Sequence, residues 1–235
     1  PRGPDTTAPD LPGAVARAVE AGAGLDLGLA VVDLETGAAA GHDADVPFPS
    51  ASLSKLLVAV DLLTSGELPA ADAERLRRAL SLSDDEAMNA LWTLHDGLGA
   101  VSRVAALLGL TATRAPADAS QWGDVEVSAN DVAKVLRYAV AELPSVVDAL
   151  KSAPATAADG FDQAFGLLSP GTDAYAKQGW MWYLPADLYL HTAGVADGRY
   201  AVVALTVQSG VAEQGAKDRL TGVTGALLSA LSRAG

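Results

Sequence analysis

Hydrophobic positions recur along this chain in two rhythms, and the places where one gives way to the other divide it. From Leu11 to Ala21, Val15, Ala18, Val19 and Gly22 fall at helical spacing and Gly22 to Gly24 close the run, which predicts a helix. Leu27–Leu34 and Ala38–Asp43 read as strands joined by a turn at Glu35-Thr36-Gly37. Leu56, Leu57, Val58, Ala59, Val60, Leu62 and Leu63 leave no polar face, so a buried helix is predicted, with Ser52 in its first turn. Pro69 to Leu150 reads as helical throughout. Within it Ala73, Leu76, Ala79 and Leu80 alternate with Arg75, Arg77 and Arg78, which puts the arginines on a solvated face. Period two returns at Ala174–Trp180, Leu188–Val195 and Tyr200–Gln208, the last two joined at Ala196-Asp197-Gly198. A final helix from Gly215 to Leu231 places Leu220, Val223, Leu227 and Leu231 on its apolar side.

Strands at both ends with helices between them predict an α+β fold: an antiparallel sheet flanked by the terminal helices, with an inserted all-helical lobe. On this reading residues 1–10 form a tether, 11–66 and 151–235 the α/β lobe, and 67–150 the helical lobe, with the active site in the groove between lobes.

Composition narrows the classes. Half of the 235 residues are hydrophobic, enough for one sizeable core or two intimately packed lobes. No apolar run approaches the roughly 20 residues that cross a bilayer. The Pro-rich start, Pro1 to Asp10, reads as a tether from which a signal or lipid anchor has been removed. The absence of cysteine excludes a disulfide framework and thiolate metal sites. A net charge of −13 without a basic cluster argues against nucleic acid as a partner. His42, His95 and His191 are far apart and lack metal-ligand spacing, so neither metal nor cofactor is expected; His191 reads as a sheet residue.

Candidate chemistry begins at Ser52-Leu53-Ser54-Lys55, the single Ser-x-x-Lys of the chain. Residues three apart share a helix face, so the Lys55 amine can reach the Ser52 hydroxyl, and helix-start N–H groups favour negative charge on that oxygen. A serine and a lysine at a helix start are also an ordinary cap and first turn, so the pair alone decides little. Ser83-Asp84 is the single Ser-Asp step and Lys177-Gln178-Gly179 the single Lys-x-Gly. The three follow one another in the motif order of class A β-lactamases and penicillin-binding proteins, which the chain resembles. The segment Ser83 to Leu91 is similar to that family's Ser-Asp-Asn-Thr-Ala-Ala-Asn-Leu-Leu, with Asn89 at the second asparagine. Gly97–Val101 with Leu107–Leu110, and Val127–Leu136, resemble its later helices.

The resemblance implies a β-lactamase/transpeptidase-like fold, Ser52 as nucleophile, and neutral Lys55 as the base that takes its proton. Ser83 would relay a proton to the leaving nitrogen, and Lys177 would hold a substrate carboxylate. Gly179 and Trp180 would line the substrate site, the Trp180 and Ser52 backbone N–H groups forming the oxyanion hole. The implied partner is a small molecule or peptide bearing a carboxylate, and the implied location is extracellular or the cell envelope.

Two departures bear on activity. Asp85 stands where the family has asparagine; an ionised carboxylate cannot donate a hydrogen bond, and beside Lys55 it would raise the lysine pKa. Either Asp85 is turned away or protonated, or the substrate differs from an acylated D-amino-acid peptide. The Glu-x-x-Leu-Asn segment with which class A β-lactamases deacylate is absent. The interval Leu110–Val127 offers as acids Asp118, Asp124 and Glu126, and Gln121-Trp122-Gly123 replaces the segment. Efficient β-lactam hydrolysis is therefore not expected, and a short Lys55-to-Ser83 connection suggests an open groove. Trp180, Trp182, Tyr183 and Trp122 are candidates for a substrate-facing wall or for plain packing; Phe161–Gly166 reads as structural support. Two functions stay open: a DD-peptidase-like serine hydrolase or acyltransferase, and a catalytically impaired binding or sensor module of the same fold.

Overall fold

The structure, a computed structural model, describes residues 9–183 and 186–233. Residues 1–8 of the expected tether lie outside it. Asp10 already belongs to the first helix, α1 (Leu11–Ala21), as its N-cap, its carboxylate accepting the Gly13 N–H at 2.9 Å.

Five strands form one sheet: β1 (Asp26–Asp33), β2 (Ala39–His42), and, late in the chain, β5 (Ala174–Tyr183), β6 (Asp187–Ala196) and β7 (Tyr200–Ser209), in the order β2-β1-β7-β6-β5. Every pairing is antiparallel. The alternation of β1 and β7 sends Leu29, Val31, Val202 and Ala204 to one side, against α1 and the last helix, α8 (Glu213–Ser232). Ala30, Val32, Val203 and Leu205 face the other way, against α2 (Ser54–Thr64) and α6 (Ala129–Glu142). Both faces are covered, which is why these strands are near-continuous apolar runs.

The helix without a polar face, α2, is buried from Ser54 to Leu62, with the sheet on one side and α5 (Gly97–Leu108) and α6 around it. Arg103 of α5 grips the buried Asp61 carboxylate with two hydrogen bonds of 2.8 Å, fixing the two helices against each other. Two more helices, α3 (Ala70–Ser81) and α4 (Asp85–Leu94), meet in a tight turn at Leu82–Asp84; α7 (Pro144–Lys151) follows α6.

Three expectations need correction. Ser52 lies in a 3₁₀ turn, Ala51–Leu53, that runs into α2, so the α-helix proper begins two residues after it. The stretch Pro69–Leu150 is not helical throughout: residues 109–128 are largely irregular and contain β4 (Glu126–Val127), which pairs with β3 (Phe48–Pro49). The first late strand continues past Trp180 to Tyr183. The predicted solvated arginine face is observed, and each arginine is also paired: Arg75 with Asp72, Arg77 with Glu74, Arg78 with Asp84.

Candidate active site

Four pieces of chain hold the Ser50–Leu53 turn in place. The Ser50 N–H donates to Val125 O at 2.7 Å, and β3 just before it pairs with β4. His191 of β6 reaches across to Pro49 O at 2.8 Å. Its Nδ1 accepts the Thr206 N–H, so the proton sits on Nε2 and the ring donates to Pro49. Full burial pushes the His191 imidazole down to about 4, and the neutral form is the one this network requires. Gly179 supplies the last constraint: a Cβ there would stand 3.2 Å from Ser50 O and 3.4 Å from Leu53 Cγ. The glycine therefore lets β5, an edge strand, close onto the serine turn.

Around that turn the structure brings Ser52, Lys55, Ser83, Asp85 and Lys177 together. Lys55 Nζ donates to Ser52 Oγ at 2.9 Å, to Ser83 O at 2.9 Å, and to Asp85 Oδ1 at 2.6 Å, and it lies 3.1 Å from Ser83 Oγ. Lys177 Nζ lies 2.7 Å from the same Ser83 Oγ and donates to Gln178 O at 2.7 Å. Both lysines are fully buried and Ser52 is 5% exposed, while the Asp85 side chain opens to solvent. Burial pushes both lysines below their ordinary range. For Lys55 the Asp85 carboxylate pulls the other way; for Lys177 the neighbouring Lys55 charge adds to the depression. Asp85 is thus neither turned away nor remote: it is the direct ion partner of Lys55.

The turn that carries Ser83 is itself tense. Ser83 has φ +51° and Ala51, next to Ser52, has φ +47°, both in the left-handed region that costs a side-chain-bearing residue energy. Asp84 holds the first in place by accepting the Ala87 N–H at the start of α4 and pairing with Arg78. The Ala158 N–H donates to Leu82 O from the loop after α7, bracing the turn from behind.

The aromatic residues divide. Trp180 stacks on Phe161, centroids 4.3 Å apart and planes 5° off parallel, and its indole N–H donates to Asp159 at 3.3 Å. Phe161–Gly166 also accepts the Gln178 amide through Phe165 O, consistent with a supporting role. Trp122 does reach the cluster: Lys55 Nζ lies 4.8 Å from its ring centroid, and its indole N–H donates to Asn89 Oδ1 at 2.8 Å. The segment Trp122–Asp124 thus spans from α4 to β5, where Asp124 accepts the Tyr183 hydroxyl and Gly123 lies against Met181. Trp182 is half exposed at the rim. His95 caps the end of α4 and pairs with Asp72, outside the cluster, and His42 pairs with Asp43 at the surface. Among the described residues no group of histidines and acids could hold a metal ion. An apolar groove of about 640 Å³ between α3 and α7 shares no residue with the cluster.

One acid near the cluster had no sequence signal. Asp159, in the loop before β5, touches the Trp180 indole and its charge reaches both lysines.

The sequence model of the Beta-lactamase enzyme family matches residues 13–68, a stretch that contains Ser52 and Lys55. Over 219 residues the chain is 30% identical to the protein named "Putative lipoprotein LppW" of Mycobacterium tuberculosis and of Mycobacterium bovis, covering 85% of this chain and 69% of theirs. The chain belongs to the β-lactamase enzyme family. Solved structures agree at the level of fold. A class A β-lactamase representative from Bacteroides cellulosilyticus superposes with TM-score 0.76 at 14% identity, over 95% of this chain and 99% of that one. A β-lactamase from Chitinophaga pinensis gives 0.74 at 17% identity, over 93% and 99%. The β-lactamase-like α+β fold is therefore shown, and within the family the chain keeps the serine–lysine cluster while carrying Asp85 and Trp122 beside it.

Proposed function

We propose that this family member is a serine hydrolase or acyltransferase that forms an acyl-enzyme on Ser52. The observation that carries the reading is the contact of Lys55 Nζ with Ser52 Oγ at 2.9 Å inside a buried site, with Ser83 bridging to Lys177. Lys55 takes the Ser52 proton as Oγ attacks the carbonyl carbon; Ser83 hands a proton to the departing nitrogen or oxygen. The Ser52 and Trp180 backbone N–H groups receive the oxyanion, Trp180 lying on the edge strand that Gly179 brings close. The substrate is a small molecule or peptide with an amide or ester next to a carboxylate, in DD-peptidase-like chemistry, and Lys177 faces that carboxylate.

Release is the slow step on this reading. Trp122 packs over Lys55 where a water-activating carboxylate would be needed, so a β-lactam would acylate without efficient hydrolysis. The name of the mycobacterial relatives supports a place at the cell envelope or outside the cell.

A fluorescent penicillin and a small activated ester, each offered to the wild type and to Ser52→Ala, test the proposal. The wild type is expected to carry label that persists after free probe is removed, and Ser52→Ala to carry none. Equal labelling of both proteins, or label on neither, refutes it. One observation favours a second reading, a binding or sensor module of the envelope: the Lys55–Asp85 pair at 2.6 Å keeps the candidate base protonated. That reading predicts saturable penicillin binding without a covalent adduct.

A further inference from the structure

The Ser83 hydroxyl serves two lysines, lying 3.1 Å from Lys55 Nζ and 2.7 Å from Lys177 Nζ. One hydroxyl has one hydrogen: it can accept from one amine while donating to the other. The surroundings of the two amines decide which. Lys55 must give N–H to two oxygens that only accept, the Asp85 carboxylate at 2.6 Å and the Ser83 carbonyl at 2.9 Å. Lys177 faces one such oxygen, Gln178 O at 2.7 Å, and among the described residues no carboxylate stands within ion-pair distance of it. Two ammonium groups joined through a single hydroxyl, with one carboxylate between them and no water around, repel at high cost.

We propose that in the resting protein Lys55 is the charged lysine and Lys177 the neutral one, and that Lys177, through Ser83, accepts the proton whose departure frees Lys55 to deprotonate Ser52. The inference rests on the acyl-transfer reading above and reverses the resting role of Lys177 from fixed cation to proton acceptor. The protons balance. Lys55 passes one to Ser83 Oγ while the Ser83 hydrogen passes to Lys177 Nζ, leaving a neutral Lys55 and a charged Lys177. Lys55 then takes the Ser52 hydrogen as the Oγ–carbonyl carbon bond forms. When the bond to the leaving group breaks, Ser83 gives its hydrogen to that group and Lys177 returns one to Ser83. The net result moves one proton from Ser52 to the leaving group and restores both lysines.

The same geometry gives Lys177 its charge when it is needed, as the oxyanion and a substrate carboxylate arrive beside it. The groups facing Lys177 are Lys55 of α2, Asp85 of α4, Ser83, Asp159 of the loop before β5, and the Trp180 ring, 5.7 Å from Nζ to its centroid. Burial first and Lys55 second depress its proton affinity, while Asp85 and Asp159 oppose them.

Carbon NMR of protein labelled at lysine Cε reads the two ionisation states directly. At pH 7 one resonance, absent from Lys177→Arg and again from Lys177→Met, is expected at the neutral-amine position, while the Lys55 resonance stands at the ammonium position. A charged Lys177 beside a neutral Lys55 overturns the proposal. The second arm measures acylation by a small activated ester. Arginine keeps the charge but cannot take a proton, so Lys177→Arg is expected to slow acylation at least ~100-fold with Asp85 present. In the Asp85→Asn background, where Lys55 starts neutral, the same change is expected to cost less than ~10-fold. Equal losses in both backgrounds overturn the relay. If no ester acylates the wild type, the acyl-transfer reading has failed, and the NMR result still decides which lysine is charged.

Discussion

Asp85 is the residue on which activity turns. An asparagine at its position would offer Lys55 a neutral partner; the carboxylate at 2.6 Å instead holds a proton on the amine. Removing the charge lets burial depress the Lys55 pKa further, so the basic limb of the acylation profile should move to lower pH. Asp85→Asn is expected to raise the acylation rate near neutral pH about tenfold, the equivalent of one pKa unit. An unmoved limb in stopped-flow acylation would separate Asp85 from the control of Lys55. The sequence named Asp85 as a departure but left its orientation open, because the contact depends on a left-handed Ser83 that no local pattern announces.

At the scale of elements, the decisive approach is that of β5 to the Ser50–Leu53 turn. Gly179→Ala puts a methyl group 3.2 Å from a backbone oxygen that is itself fixed by neighbouring hydrogen bonds, so strand and turn must part by a few tenths of an ångström. Acylation is expected to fall about 10- to 100-fold, because misplacement of that order is costly at a reacting centre. The melting temperature should change by only a few degrees, as about 1 kcal/mol moves a domain of this size. A full loss of folding, or unchanged acylation by the ester assay, would contradict this account of the glycine. Long elements were legible in the sequence because period two in β1, β6 and β7 and the unbroken apolar run of α2 persist over many residues. The two-residue strands β3 and β4 and the 3₁₀ turn at Ser52 are too short to show a period, and tertiary pairing alone creates them.

For the molecule as a whole, the site is legible in the order of its motifs and illegible in its cover. Ser52, Lys55, Ser83 and Lys177 stand far apart in sequence, and their meeting was read from three short motifs rather than from any local property. The Trp122–Asn89 link and the position of Asp159 arise from loops whose paths the sequence does not encode in a repeat. His191 couples the same architecture to pH. Its imidazole titrates near 6.5 when unfolded and at about 4 when buried, so the unfolded chain binds the proton more tightly between those values. The stability it contributes is complete above about pH 6.5 and is lost as pH falls toward 4, up to about 3 kcal/mol. Denaturant melts across that window should show the slope in the wild type and a flatter one in His191→Gln; identical slopes would remove His191 from the account.

The central claim is that Ser52 is the nucleophile. Intact-mass measurement after reaction with a small activated ester, followed by peptide mapping, tests it most directly. The account predicts one added acyl group per chain, located on Ser52 in the peptide that contains Ala51 and Leu53. An acyl group on a different residue, or an unchanged mass under conditions where the protein is folded, would contradict it.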